Sequence, residues 1–211
     1  MAQRTDAVSV ARARGRPRKF DAEVVMDKAL NLFWKNGFSN TTTRDLEVGL
    51  GINQSSLYNQ FGSKQALLDG ALARYEELTD AALLKPMHSE KNGLQAIRIF
   101  FRELASWVTR DGKRGCMLIN MMAEDGASTD SIRKRTRKYR LLVRNTFKEC
   151  LQRAVDDGFA TPADPADCEQ RADLLLGLVL GFNIAARGGA SERELKKLLD
   201  AVDAYISAWQ P

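Results

Sequence analysis

Apolar residues recur every three or four positions along most of this chain, which is the spacing of a helix that buries one face. Near the start, this spacing is seen at Val24, Val25, Ala29, Leu32 and Phe33. No run shows convincingly the two-residue alternation that is typical of a half-buried strand. The pattern therefore predicts an all-α fold of about nine helices.

Capping residues and glycines set the bounds of the predicted helices. We expect helices between Asp21 and Gly37 and then, in order, at about 43–50, 54–60, 64–84, 94–109, 116–125, 129–156, 166–186 and 191–209. The clearest interruption is the stretch 86–93, which holds proline, histidine, serine, asparagine and glycine together. We therefore expect the chain to leave its helix at Pro86, with His88 in a surface loop.

Three short helices are predicted close together near the start of the chain. Thr42 and Asp45 have the spacing of a capping box at the second of them. Gly51 allows a tight turn after that helix, and Asn53 can cap the third one. This arrangement predicts a helix-turn-helix, in which the second helix of the pair enters the major groove of DNA.

The third of these helices has an unusual polar surface. Ile52, Leu57 and Phe61 can anchor one side, but the other side carries amides and hydroxyls instead of the Lys and Glu of a solvated helix. Gln and Asn can pair bidentately with adenine, and Ser can pair with base-edge donors or acceptors. The side chains that we expect to face bases are Gln54, Ser55, Ser56 and Asn59.

Positive charge is concentrated at the N-terminus. The formal net charge is +5, and residues 1–19 carry six basic residues against Asp6 alone, so the remaining residues sum to zero. A basic arm on a neutral body indicates a polyanionic partner. A disordered solubilising tail has the same composition and is the alternative.

Cysteine and histidine usage argues against several classes of site. The three cysteines, Cys116, Cys150 and Cys168, have no CxxC spacing, so neither a disulfide framework nor a zinc site is predicted. The single histidine, His88, has no acidic or cysteine cluster beside it, which makes a metal site or a His-based catalytic dyad unexpected. We therefore expect no catalytic residues, no metal and no cofactor, and a protein that is not an enzyme.

Membrane and export signals are also missing from the sequence. The first twenty residues are basic and polar and lack the apolar region of a signal peptide. No apolar run approaches the roughly 18–20 residues that a membrane-spanning helix needs. We therefore expect a cytoplasmic protein without a membrane partner.

Residues 29–68, ALNLFWKNGFSNTTTRDLEVGLGINQSSLYNQFGSKQALL, resemble the DNA-binding segment of the TetR family of transcriptional regulators. The most specific parts are the approach at 38–42, the turn Gly51-Ile52 and SLYNQFGSK at 56–64. Together with the charge pattern, the resemblance implies a flexible basic arm at 1–19, a helix-turn-helix domain at 20–68 and a ligand-binding and dimerisation domain at 69–211. It also implies a homodimer on a pseudo-palindromic double-stranded DNA operator, and a small-molecule effector, with repression as the expected sign.

The resemblance implies DNA contacts from the side chains of Thr42, Thr43, Arg44, Gln54, Ser55, Ser56, Tyr58, Asn59 and Lys64. To these we add Arg16 and Arg18 of the arm, which can follow phosphates or enter the minor groove. The chain departs from the family at Glu47 and Leu50, where alanine is frequent. Glu47 must therefore point to solvent or find a partner.

Aromatic residues and methionines are frequent between residues 94 and 183. Apolar walls with few polar groups suit a small apolar or aromatic effector, and Met adapts to its shape. The residues expected to line the pocket are Phe100, Phe101, Leu104, Trp107, Cys116, Asn120, Met121, Glu124, Tyr139, Val143, Phe147 and Phe182. Glu124 is expected to meet a cation and Asn120 a carbonyl or hydroxyl, while for each residue a plain core position is the alternative.

The last two predicted helices carry a dimerisation signal. The segment 166–186 is apolar nearly all round, and Gly177 and Gly181 allow another helix to approach closely. The segment 191–209 adds seven apolar residues at helical spacing: Leu195, Leu198, Leu199, Val202, Tyr205, Ile206 and Trp209. We expect these two segments to form a four-helix interface between two chains, with a monomeric bundle core as the alternative.

Cys116 supports a different interpretation of the C-terminal region. It starts a predicted helix close to Lys113 and Arg114, and a thiol in such a position can have a lowered pKa. The alternatives that follow are a regulator that senses oxidants or electrophiles through Cys116, and a helical enzyme that uses it as a nucleophile without an evident base. A non-specific architectural DNA binder is a third, and a simple buried cysteine is the plain interpretation.

Overall fold

The computed structural model describes residues 22–124, 129–161 and 165–211. These residues form ten α-helices: α1 (Ala22–Asn36), α2 (Thr43–Leu50), α3 (Gln54–Phe61), α4 (Lys64–Thr79), α5 (Lys85–Ser89), α6 (Gly93–Lys113), α7 (Met117–Ala123), α8 (Asp130–Asp156), α9 (Pro165–Arg187) and α10 (Glu192–Ser207). A π-helical turn, Asp80–Leu84, joins α4 to α5 without a break. The described chain therefore has nine helical rods and no strand, which confirms the predicted all-α class.

The first four helices share one apolar centre. Helix α1 packs along α4, and α2 and α3 close the end of this pair. Of the predicted anchors, Ile52 and Leu57 are buried and Phe61 is half-buried, and Phe33, Leu46 and Leu68 complete the centre. Because Leu57 anchors the buried side of α3, the opposite side of this helix lies at the surface.

Local capping explains where the short helices begin and end. The Thr42 and Asp45 capping box is formed at α2, and Gly51 ends that helix with a φ of 71° in the left-handed region. The Asn53 side chain accepts a hydrogen bond at the start of α3, and the Ser63 side chain does the same for α4. Two hydrogen bonds from Thr42 lower the pKa of the Asp45 carboxyl, since they favour its charged form.

The interruption predicted at Pro86 is wrong in position. The helical rod continues through the π-helical turn into α5, where Pro86 lies in the first turn. Pro86 has no N–H to continue the ladder of hydrogen bonds, and the π-helical turn that precedes it is the point where the rod departs from regular α-helical pairing. His88 is accordingly an exposed helical residue and not a loop residue. The chain leaves the rod only after Ser89, and the Asn92 side chain caps α6.

The remaining helices form a second bundle, in which α6 and α9 pack on α8 and α10 packs on α6. Its centre includes the rings of Phe100 and Phe147, whose centroids lie 4.9 Å apart. The start of α6 lies directly on the backbone of α8. A Cβ added to Gly93 would lie 1.8 Å from the carbonyl oxygen of Cys150.

An aromatic cluster of Trp34, Tyr75 and Trp107 joins the two bundles. The indole of Trp34 stacks on that of Trp107, with centroids 6.0 Å apart, and meets Tyr75 edge-on at 5.1 Å. Trp107 donates a hydrogen bond to the Tyr75 hydroxyl at 3.2 Å, and Trp34 donates to the Gly115 carbonyl at 3.0 Å. Buried indole donors with partners fix the ring positions, so α1 is held firmly against α4 and α6.

No helix within the described ranges has both the length and the apolar composition that crossing a membrane requires.

Candidate functional site

The exposed face of α3 is the most distinctive polar surface of the N-terminal bundle. It presents side chains that are all uncharged hydrogen-bonding groups: Gln54, Ser55, Asn59 and Gln60. Ser56 and Tyr58, also predicted to contact DNA, are half-buried. Gln60 is not among the predicted contacts, although its exposed side-chain amide lies in the same stretch and is of the kind that reads bases.

The N-terminus of α3 is tied to α2 by a carboxylate. The backbone N–H of Gln54 donates to Oε1 of Glu47. Glu47, which stands where alanine is frequent in the family, therefore has a hydrogen-bond partner. The side-chain oxygen Oδ1 of Asn53 accepts hydrogen bonds from the backbone N–H of Ser56 and from the hydroxyl of Ser55, both at 2.8 Å. These bonds satisfy the first turn of α3 internally and fix how Ser55 is presented.

Helix α2 contributes positioning contacts as well as exposed groups. The Thr42 hydroxyl donates to Oδ2 of Asp45 at 2.6 Å and is therefore engaged in the cap. The Thr43 and Tyr58 hydroxyls lie 3.3 Å apart and link α2 to α3. The Arg44 side chain is exposed. Of the residues predicted on α2, Arg44 is thus the one most free to reach a phosphate.

Lys64 stands at the other end of α3, on the first position of α4. Its ammonium lies 4.3 Å from the centroid of the Phe38 ring. A cation over an aromatic face is attracted to it, so this contact holds Lys64 beside the loop that precedes α2. Arg16 and Arg18, the other predicted DNA contacts, lie outside the described residues.

Several residues predicted to line an effector pocket are packed against one another. The rings of Phe101 and Phe147 are stacked, with centroids 5.9 Å apart, and Phe100 meets Phe147 edge-on. Leu104, Val143 and Phe182 are also buried. Trp107 belongs to the aromatic cluster described above. Their packing corresponds to the core alternative that the sequence left open.

Cys116 is buried beside two tyrosines, as the plain interpretation expects, and the lowered pKa on which the sensor alternative depends is not found. Burial raises the pKa of the Cys116 thiol above its ordinary value, and hydrogen bonds with Tyr75 and Tyr139 offset this only in part. A thiol that stays protonated is a poor nucleophile. The environment of Cys116 therefore disfavours both the sensor and the enzyme interpretations.

We expect Cys116 to resist alkylation in the native protein. At pH 7 the raised pKa leaves almost no thiolate, and the side chain is only 3% exposed. Iodoacetamide should modify it at least tenfold more slowly than in the urea-unfolded protein, as measured by mass spectrometry of its peptide. Equal rates in the native and unfolded samples would contradict this and revive the sensor interpretation.

A cleft of about 630 Å³ opens between α1, α7 and α9. Its walls are mainly apolar and come from both bundles, with Phe33 and Trp34 on α1, Met117, Ile119, Met121 and Met122 on α7, and Leu180 and Ile184 on α9. Three predicted effector residues line it: Asn120, Met121 and Glu124. The α1 residues could not be assigned from the sequence, because nothing in its local pattern places α1 against α7.

Glu124 contacts the protein backbone, whereas the sequence suggested a ligand cation as its partner. Its carboxylate accepts hydrogen bonds from the amide N–H of Phe38 at 3.1 Å and of Ser39 at 2.5 Å. The chain can come this close because Gly37 has a φ of 81° and no side chain, and a Cβ there would lie 3.0 Å from both carboxylate oxygens. Asn120 donates to the Arg114 carbonyl at 2.8 Å and closes the turn between α6 and α7.

A second, apolar groove of about 520 Å³ runs along α9 and α10. Leu174, Leu198 and Tyr205 line it and are 43%, 42% and 41% exposed. Cβ atoms added to Gly177 and Gly181 would meet nothing within 4 Å. A contiguous exposed apolar surface of this kind marks an interaction site. It lies on the two helices for which the sequence predicted dimerisation.

Within the parts of the chain that the structure describes, no group of three histidine, cysteine or acidic side chains is placed to hold a metal ion.

Comparison with known families gives two matches that follow the two bundles. Residues 25–71 match the family described as bacterial regulatory proteins, tetR family. Residues 93–202, more than half of the chain, match the tetracyclin repressor-like C-terminal domain.

Curated relatives and solved structures agree with these matches. The HTH-type transcriptional repressor ComR of Escherichia coli strain K12 is 28% identical over 202 residues, which cover 95% of this chain and 94% of ComR. The uncharacterised HTH-type transcriptional regulator YezE of Bacillus subtilis strain 168 is 28% identical, over 92% of this chain and 98% of YezE. A cysteine mutant of the TetR family regulator CifR, complexed with 26-base-pair operator DNA, superimposes with a TM-score of 0.80 at 25% identity, over 92% of this chain and 100% of that one.

Proposed function

Because this chain belongs to the TetR family of bacterial regulatory proteins, we propose that it represses transcription from a pseudo-palindromic operator and is released by a small molecule. That it is a DNA-binding transcriptional regulator and not an enzyme follows from the family. Repression is supported by the name of ComR, and operator binding by the CifR complex with operator DNA. We assign its action to the cytoplasm, where bacterial DNA lies.

The observation that carries the proposal is the uncharged polar face of α3, held in place by buried Leu57. In our proposal Gln54, Ser55 and Asn59 pair with base edges. Arg44 and Lys64 contact the phosphates on either side. Base contacts give sequence preference and phosphate contacts give position and affinity. Thr42, Thr43, Ser56 and Tyr58 would act mainly by orienting the two helices, since their side chains are engaged or half-buried.

We further propose that two chains pair through α9 and α10. The exposed apolar groove and the open Gly177 and Gly181 support this pairing, because small residues let helices approach closely. A dimer would place two copies of α3 on half-sites about one helical turn, roughly 34 Å, apart. An effector that favours a different spacing of the two α3 copies would lower operator affinity. The resulting change in the free energy of operator binding is the coupling free energy between the two sites.

Replacing Leu198 with glutamate tests the proposed dimer and operator together. A charge placed in the middle of an apolar interface is unpaired and desolvated. We therefore expect the dimer dissociation constant, measured by sedimentation equilibrium, to rise by at least about tenfold. The wild-type protein should prefer a palindromic operator, selected from a randomised library, over random DNA by about 10³-fold. The variant should lose most of this preference.

Lys197→Glu is the matched control, because Lys197 lies next to Leu198 on α10 but does not line the groove. It should remain dimeric and keep its preference for the palindrome. A wild-type protein that binds random DNA equally well would overturn the proposed function. A Leu198→Glu protein that stays dimeric would overturn the proposed interface.

A further inference from the structure

The cleft between α1, α7 and α9 has the composition of a ligand site. Its walls are apolar and include three methionines on one short helix, Met117, Met121 and Met122. Methionine side chains adapt to ligands of different shape. The volume of about 630 Å³ lies within the range of small-molecule pockets. One carboxylate, that of Glu124, is among the groups that line it.

The same carboxylate is the direct link from α7 to the loop that precedes α2. Hydrogen bonds from two amides to a charged acceptor are stronger than ordinary ones. The loop they hold carries Phe38, whose ring contacts Lys64, and it leads into the Thr42 cap of α2. A shift of Glu124 would therefore be felt at both ends of the α2–α3 pair.

The charges in the cleft favour one class of ligand. An anionic ligand would bring its charge towards Glu124 and oppose it. The other charged side chain of the cleft, Arg187, is exposed whereas Glu124 is half-buried, so water and salt screen the charge of Arg187 more strongly. A cationic group, by contrast, offers Glu124 a partner of opposite charge, and the apolar walls accept a hydrocarbon body.

We propose that this cleft binds an amphipathic amine, whose cationic group pairs with Glu124 and draws it away from the amides of Phe38 and Ser39. The proposal rests on the proposed function, since it names the effector class and the route by which binding reaches DNA. Loss of these two hydrogen bonds frees the loop and with it the N-terminus of α2. By linkage, an amine that lowers operator affinity is itself bound less tightly in the presence of operator.

The test compares three probes of equal chain length on the full-length protein: n-octylamine, 1-octanol and octanoate. Affinity for a fluorescent operator is measured with each probe for the wild type, Glu124→Gln and Glu149→Gln. Glu149 is exposed on α8 and does not line the cleft, so its replacement makes the same charge change elsewhere. Calorimetric titration of octylamine into each protein without DNA gives an independent measure of binding.

We expect octylamine to lower the operator affinity of the wild type and of Glu149→Gln by about tenfold, and to have little effect on Glu124→Gln. Octanol should act weakly and octanoate less still. An equal effect of octylamine on all three proteins, no effect on the wild type, or a stronger effect of octanoate would each overturn the proposal. Should Glu124→Gln fail to bind operator, equal calorimetric affinities for octylamine in all three proteins would overturn it. Preference for the palindrome over random DNA without any probe tests the proposed function separately.

Discussion

Replacing Gly93 with alanine is expected to destabilise the protein by about 3 kcal/mol. The added Cβ would lie 1.8 Å from the carbonyl oxygen of Cys150 and 3.0 Å from the amide nitrogen of Ala154. Both atoms belong to the backbone of α8 and cannot rotate away as a side chain does. Helix α6 would have to move off α8, and the packing of Phe100 on Phe147 would loosen with it.

Urea unfolding followed by circular dichroism, at one fixed protein concentration, measures this change. Gly70→Ala is the matched control, because a Cβ at Gly70 would meet the terminal methyl of Met26 at 2.8 Å. That methyl ends a flexible side chain and can give way, so Gly70→Ala should change the free energy of unfolding by less than about 1 kcal/mol. Similar unfolding midpoints for both variants would show that α6 adjusts without cost.

Gln54→Ala and Lys64→Ala should weaken operator binding in two different ways. Gln54 is exposed at the start of α3, where an amide can pair with one base, so its loss should cost about 1–3 kcal/mol at that base pair alone. The contribution of Lys64 is charge near the phosphates. Its loss should weaken binding to all sequences alike and lower the slope of log K against log salt by about one.

Selection of preferred sites from a randomised operator library, followed by salt titration of the best site, separates the two effects. Gln54→Ala should change the selected base at one position in each half-site and leave the salt slope unaltered. Lys64→Ala should select the wild-type sequence with a flatter slope. A reversed outcome, with Lys64→Ala changing the selected sequence, would mean that α3 lies in the groove in a different orientation.

Features set by neighbouring residues were predictable from the sequence. The caps at Thr42, Asn53 and Ser63 depend on side chains that accept from backbone amides three residues later, so the local sequence alone reveals them. The burial of Leu57 follows from helical spacing in the same way. The π-helical turn before Pro86 escaped prediction, because proline is common both at helix ends and in first turns.

Contacts between distant segments were not predictable. Glu124 is separated by 86 residues from Phe38, and nothing near either residue signals the hydrogen bond between them. From the sequence alone, a carboxylate beside apolar residues indicates a ligand contact. Cys116 illustrates the same limit. The basic residues that precede it in sequence suggested a lowered pKa, but burial raises the pKa of its thiol, and part of that burial comes from residues distant in sequence such as Tyr75 and Tyr139.

The stacking of Trp34 on Trp107 gives the protein an intrinsic optical reporter. The chain has three tryptophans, and two of them face each other across the junction between the bundles. Stacked indoles share their excitation, and the resulting circular dichroism depends on the distance and angle between the rings. Any movement of α1 relative to α6 would alter this signal without a label. The third indole, Trp209, lies beside Arg171 and meets the ring of Tyr205 edge-on, so it reports on the α9–α10 end of the protein instead.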